Sequence, residues 1–133
     1  MSCTDEELFE HAARVREHAY APYSKFKVGA AIIDDVGNIH AGCNVENAAY
    51  PLGNCAETSA IAAMIGGGGK AISKIAVVGG GDKLEQCMPC GGCRQAIAEF
   101  AQDDTIILLK GEGGSIRQVT VGELLPHAFR LKP

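Results

Sequence analysis

Cys55-Ala56-Glu57 and Pro89-Cys90-Gly91-Gly92-Cys93 bring together residue types that can do joint chemistry: three thiols and one carboxylate. Thiolates suit zinc among the common metals. A structural zinc site closes with four protein ligands, whereas a catalytic one holds three and leaves the fourth position to water. Cys55, Cys90 and Cys93 make three, and Glu57 stands two residues from the first as an acid–base group. The set points to an enzyme that activates water. Each residue alone has a plainer reading: Cys55 as a buried cysteine, Glu57 as a solvated helix residue, Cys90 and Cys93 as a redox pair or half of a structural zinc site. The three in this order are far more specific than any one of them.

Cys87 keeps a rival open. Cys87-Met88-Pro89-Cys90-Gly91-Gly92-Cys93 reads C-x-x-C-x-x-C, and with Cys55 it offers four thiolates for a closed zinc or an iron–sulfur cluster in a non-enzymatic module. Pro89 favours Cys90 and Cys93 as the ligand pair, with Cys87 just outside. Cys3, Cys43 and the four histidines show no ligand spacing. Three thiolates leave Zn²⁺ with a net charge of −1, which weakens it as a Lewis acid. Helix N-termini at Cys55 and Cys90 offset part of that charge, and Arg94, next to Cys93, is the side-chain candidate for the rest.

These residues need elements to hold them. Thr4 and Glu7 form a capping-box pattern, and Leu8, Ala12, Val15 and Ala19 follow at helical spacing, predicting a helix over about 4–19. Phe26 to Ile33 reads as a buried strand, 34–38 as turn chemistry, and Ile39 to Cys43 as the returning strand of a hairpin. Residues 44–54 read as a loop and Cys55 to Ile65 as a helix ended by Gly66 to Gly69. Lys70 is followed by Ala71, so this glycine tract is a turn and not a phosphate loop. Ile72 to Val78 predicts a strand, Cys90 to Phe100 a helix, and Thr105 to Leu109 and Ile116 to Thr120 two further strands. Thr120 and Glu123 cap a last helical turn ending near Pro126. Strand–helix alternation in the middle implies parallel pairing there, beside an antiparallel hairpin. The expected fold is α/β: a mixed five-stranded sheet sandwiched by helices, in one domain over 1–133.

Composition narrows the partners. The 133 residues are 47% hydrophobic and 21% charged, against about 25% charged in an average domain. The formal charge is −4 and no Lys/Arg cluster occurs, which argues against a nucleic-acid partner and for a small substrate that is not strongly anionic. No apolar run is long enough to span a membrane. Asp5-Glu6-Glu7 stands where a signal peptide would be apolar, so a reducing, cytoplasmic setting is expected, with free cysteines.

Longer stretches carry a resemblance. Tyr23-Ser24-Lys25-Phe26-Lys27-Val28-Gly29-Ala30-Ala31, Gly42-Cys43-Asn44-Val45-Glu46-Asn47-Ala48, Cys55-Ala56-Glu57 and Pro89-Cys90-Gly91-Gly92-Cys93-Arg94-Gln95 resemble the small homotetrameric cytidine deaminases, over about Ala21 to Phe129. The resemblance implies the three-layer α-β-α fold of that family. It also implies one Zn²⁺ per subunit, and hydrolysis of cytidine and deoxycytidine to uridine and deoxyuridine in pyrimidine salvage. Cys55, Cys90 and Cys93 match the zinc ligands and Glu57 the proton shuttle, in line with the three-cysteine form of the zinc deaminase signature. Asn44 and Glu46 match the pair that binds the ribose hydroxyl. Phe26 matches a wall of the pyrimidine pocket, and Ala56 a backbone contact to the base edge. Tyr50 resembles a site residue at the subunit interface. Phe129 resembles the aromatic that reaches a neighbouring subunit's site and stacks on the base. A homotetramer with shared sites follows from the same likeness. Two positions depart from the pattern: Thr58 stands where an Arg commonly hydrogen-bonds the zinc thiolates, and Pro51 where a Gly is usual. Another cytosine nucleoside as substrate is the second enzymatic reading, and a nucleic-acid editor is disfavoured by the acidic balance.

Overall fold

The structure is a computed structural model that describes residues 3–110, 112–131 and 133. Helix α1 (Asp5–Arg16) opens on Thr4, whose hydroxyl accepts from the Glu7 N–H at 3.1 Å, with acids in its first turn and Arg14 and Arg16 in its last. It stops three residues short of the expected end. The N–H groups of Glu17, His18 and Ala19 bond three residues back instead of four. Arg16 is drawn inward, Nε donating to Lys27 O at 3.0 Å and Nη2 to Gly80 O and Gly81 O at 2.9 Å each.

Strands β1 (Lys27–Asp34) and β2 (Ile39–Cys43) form the expected hairpin, with Ala31 opposite Ala41. Strand β3 (Ile72–Gly80) lies antiparallel to β1 on its other side. Strand β5 (Ile106–Lys110) runs parallel to β3, as the strand–helix alternation predicts, and β6 (Ile116–Thr120) closes the edge antiparallel to β5. The order is β2-β1-β3-β5-β6. A two-residue strand, β4 (Leu84–Glu85), pairs with Gly79 and Gly80 and adds a short sixth member that the sequence pattern does not announce.

The sheet is covered on both faces. Leu8, Phe9 and Ala12 of α1 pack on Ala31, Ala76, Val78 and Leu108. Helices α2 (Ala56–Gly66) and α3 (Gly91–Glu99) cover the other face, where Met64 and Ile97 meet Ile32, Ile75, Val77 and Ile107. Burial on both sides explains why β3 and β5 read as continuous apolar runs instead of alternating ones. Two glycines set how close the layers come. A Cβ on Gly29 would lie 2.0 Å from Ala12 O of α1, and one on Gly42 2.4 Å from Ala60 N of α2. The capping box of Thr120 and Glu123 forms as expected and starts the short helix α4 (Val121–Leu124). Among the described residues no helix is long and apolar enough to cross a membrane.

Candidate active site

Both sequence motifs fold into helix starts. Cys55 is the N-cap of α2 and Cys90 the N-cap of α3, each with extended backbone, and Cys93 follows in the first turn of α3. One sulfur from each of the three lies within 4.8 Å of the other two. Tetrahedral Zn–S bonds of about 2.3 Å need sulfurs roughly 3.8 Å apart, so this donor set fits a zinc ion with only slight contraction. Cys87 falls outside the group, which leaves three protein ligands and removes the geometric basis for a closed four-cysteine site. Zinc is the cofactor the site is built for.

The protonation behaviour agrees. Backbone N–H groups of Cys93 and Gly92 hold the Cys90 thiol below its ordinary range, as expected at a helix N-terminus. Burial pushes the Cys55 and Cys93 thiols up, and the neighbouring Glu57 charge adds to both. Three thiols clustered this closely, beside the buried Glu57 carboxyl, make a donor set suited to a cation. Cys87 is held up at about 11, first by burial and then by the charge of Glu57.

Glu57 sits one residue into α2, turned inward and 4% exposed. Burial raises its carboxyl above the usual range, while hydrogen bonds from its own N–H and Cys93 pull the other way. A carboxyl shifted in this direction holds a proton more readily than a solvated one, which suits a group that must both accept and return it. It borders a cavity of about 350 Å³, a volume within the range of small-molecule sites, together with the three cysteines, Asn44, Glu46, Tyr50 and Ala56.

The far wall is organised by the chain leaving β2. Asn44 Oδ1 accepts from the Val28 N–H at 2.8 Å and its Nδ2 donates to Phe26 O at 2.9 Å, so the side chain continues the pairing of β1 where β2 has ended. Glu46 accepts from the N–H groups of Tyr23 and Ser24 at 3.0 and 3.1 Å and from the Ser24 hydroxyl. The Ser24 hydroxyl, followed by those backbone donors, holds the Glu46 carboxyl below its ordinary range. Backbone bonds Tyr20 N–H to Asn44 O and Val45 N–H to Asn54 O tie down the loop.

The remaining expected residues are placed less directly. Val28, not Phe26, is the β1 side chain that lines the cavity. The Phe26 ring edge and the Cys87 sulfur flank the backbone of Gly79 together, so Phe26 backs the Cys87 side of the wall. Tyr50, 80% exposed, stands in a 3₁₀ turn with Pro51 and borders a second cavity shared with Tyr23, Ser24 and Glu46. Phe129 is 70% exposed and does not line the cavity. Arg94 donates from Nε to Pro89 O at 2.8 Å and from Nη1 to Leu124 O at 3.0 Å. It thus braces the turn that carries Cys90 through the backbone. The Thr58 hydroxyl donates to Cys55 O at 3.0 Å, holding the cap residue by its carbonyl where an Arg would reach the sulfurs. Val28, Met88 and Asn54 line the cavity but escaped the sequence reading. Met88, between Cys87 and Pro89, was within reach of the motif. Val28 and Asn54 become walls only through tertiary packing.

Comparison with known proteins gives a consistent result. A family model described as the cytidine and deoxycytidylate deaminase zinc-binding region matches residues 2–109. A cytidine deaminase of Sporosarcina psychrophila is 44% identical over 124 residues, covering 93% of this chain and 90% of that protein. One of Mycobacterium tuberculosis is 40% identical over 122 residues, covering 91% and 86%. The crystal structure of a cytidine deaminase from Burkholderia pseudomallei superposes with a TM-score of 0.87 at 43% identity, covering 96% of this chain and all of that one. That from Mycobacterium tuberculosis gives 0.83 at 38%, covering 97% and 100%.

Proposed function

The chain belongs to the cytidine and deoxycytidylate deaminase family, and from that membership we propose how its residues divide the work of hydrolytic deamination. The reaction exchanges the amine at C4 of cytidine for oxygen, giving uridine and ammonia. Zinc bound by Cys55, Cys90 and Cys93 supplies the Lewis acidity that makes water a nucleophile. Glu57 accepts a proton from the attacking water and delivers it to N3 of the ring. It then carries the second proton to the departing amine. Both protons of the water are thereby placed, one on the product base and one on ammonia. The observation that carries this reading is the buried Glu57 carboxyl in one cavity with the three-thiol cluster.

Ala56, buried at the start of α2, offers backbone groups to the edge of the base. Asn44 and Glu46 receive the sugar. Glu46, kept ionised, accepts the 3′-hydroxyl, and the second hydrogen of the Asn44 amide donates to it. Since ribose and deoxyribose share that hydroxyl, deoxycytidine is a substrate as well. Phe26 stiffens the pyrimidine end of the pocket. Arg94 tempers the charge of the thiolates by bracing their turn and by proximity.

The site is completed by other copies of the chain. The exposed part of α2 presents Ala62, Ala63 and Ile65, and Glu57 is the one charged residue in that helix. Tyr50, Leu52 and Phe129 are exposed apolar groups as well. Uncharged surface of this kind suits association, and a homotetramer in which Phe129 stacks on the base in a neighbour's site accounts for it. The acidic balance keeps nucleic acid out and leaves free nucleosides of pyrimidine salvage, in the cytoplasm, as the substrates. The test is direct: zinc-loaded protein should convert cytidine and deoxycytidine, read by loss of the cytidine absorbance band and by ammonia release. Absence of turnover on both would sink the reading.

A further inference from the structure

Helix α3 supports two things at once. Its first turn holds Cys90 and Cys93, and its later residues hold the C-terminal tail. Gln95 Nε2 donates to Phe129 O at 2.9 Å. The next residue, Arg130, turns under the end of α3, where Nη1 donates to Ala98 O at 2.8 Å and Ala101 O at 3.0 Å while Nη2 lies 3.3 Å from Asp103 Oδ1. Carbonyls at a helix C-terminus lack intrahelical partners and carry partial negative charge, so a guanidinium suits the place. Arg94 adds a third tie at Leu124 O, and the chain turns between these ties at His127, whose φ is 55°. Terminal segments ordinarily fray unless tied down. Here the backbone around Phe129 is fastened on both sides while its ring stays 70% exposed.

We propose that Gln95 and Arg130 are positioning residues that latch residues 126–131 along α3 and so present the Phe129 ring in one orientation. Because the latch is on α3, the ring keeps a fixed relation to the turn that carries Cys90 and Cys93. This rests on the reading of Phe129 as the stacking group for a neighbouring copy, and it assigns to two further side chains the task of ordering that group before assembly and binding. Without them the tail pays the ordering cost when substrate binds, so the loss falls on KM.

Steady-state kinetics of the zinc-loaded protein test it. Phe129→Ala should raise KM for cytidine at least about fivefold, the low end of what a base–aromatic stack is worth. Arg130→Ala should raise KM in the same direction with kcat within about twofold of wild type, since remote positioning leaves the chemical step alone. The double variant should be no worse than Phe129→Ala, and Arg130→Lys, which keeps a cationic donor for the α3 carbonyls, should recover part of the loss. A wild-type KM in Arg130→Ala beside a raised KM in Phe129→Ala overturns the latch alone. A further rise in the double variant also overturns it, since the arginine then acts elsewhere. A wild-type KM in Phe129→Ala overturns the stacking reading beneath it. Should Arg130→Ala not fold, Gln95→Ala removes only the bond to the Phe129 carbonyl and carries the same comparison.

Discussion

Glu57 and the cysteines around it obey opposite demands. Burial favours the neutral form of Glu57, Cys55 and Cys93, yet the reaction needs thiolates on a metal and a carboxylate ready to take a proton. The backbone donors at the start of α3, which already favour the Cys90 thiolate, and the charge of a bound metal would reconcile them. Glu57→Gln keeps the volume and polarity of the side chain but cannot carry a proton. It should retain zinc while losing at least the ~10²–10⁴-fold typical of general acid–base catalysis. Near-normal turnover would take Glu57 out of the mechanism. Cys87 borders the same cavity outside the ligand group, held up at about 11 and therefore a thiol at neutral pH. Cys87→Ala should keep its zinc in a metal assay, and Cys90→Ala should lose most of it. The reverse result would make Cys87 a ligand.

At the scale of elements, the β1–β2 hairpin has its own electrostatics. Asp34, 1% exposed, lies 2.8 Å from His40 Nε2 across the hairpin and accepts from the N–H groups of Val36 and Asn38. The hydrogen bond to His40, followed by those backbone donors, holds its carboxyl below the ordinary range. A carboxylate so favoured in the fold adds stability that is fully present above the unfolded value of about 3.9 and is lost as pH falls through the lower folded value. Acidifying from about pH 5 to 3 should therefore depress the melting temperature more steeply in wild type than in Asp34→Asn. Equal slopes would deny Asp34 this role.

The same elements show what a sequence can reveal. The hairpin, α2, α3 and strands β3, β5 and β6 were legible because turn residues bracket short apolar runs, and length separates strands from helices. Strand β4 was not, since Leu84–Glu85 is too short to show a period. The early end of α1 was not either, because it depends on Arg16 reaching carbonyls of Lys27, Gly80 and Gly81. In the site, the three ligands and Glu57 were visible as local spacing at helix starts. The resemblance supplied Asn44 and Glu46, but their bonds to the backbone of 23–28 arise only when the loop folds against β1. Val28 lines the cavity in place of Phe26 for a similar reason: Phe26 lies just ahead of β1 and its ring packs beside Cys87 against Gly79, a long-range contact that local pattern does not show.

On the scale of the whole molecule, the uncharged surface of α2 and the exposed aromatic residues make assembly a measurable expectation. Light scattering should report about four times the chain mass at micromolar concentration, and a charge introduced at Ile65, 46% exposed on α2, should shift it toward smaller species. A monomeric wild type would leave that surface unexplained.

The position of β3 has a consequence for synthesis. It is the third strand in the chain but the middle one of the sheet, with β5 on its far side. A nascent chain that has reached Gly80 can already pair β1 with β2 and β3. The other edge of β3, rich in Ile75, Val77 and Val78, must wait until α3 has crossed and β5 has left the ribosome. Until then it is an open template for another chain, and the parallel pairing that closes it is slow to form. The residues after Gly80 thus serve, during translation, as the molecule's own chaperone for its central strand. A premature stop there would release a half-sheet prone to aggregate, as well as one without the second half of its metal site.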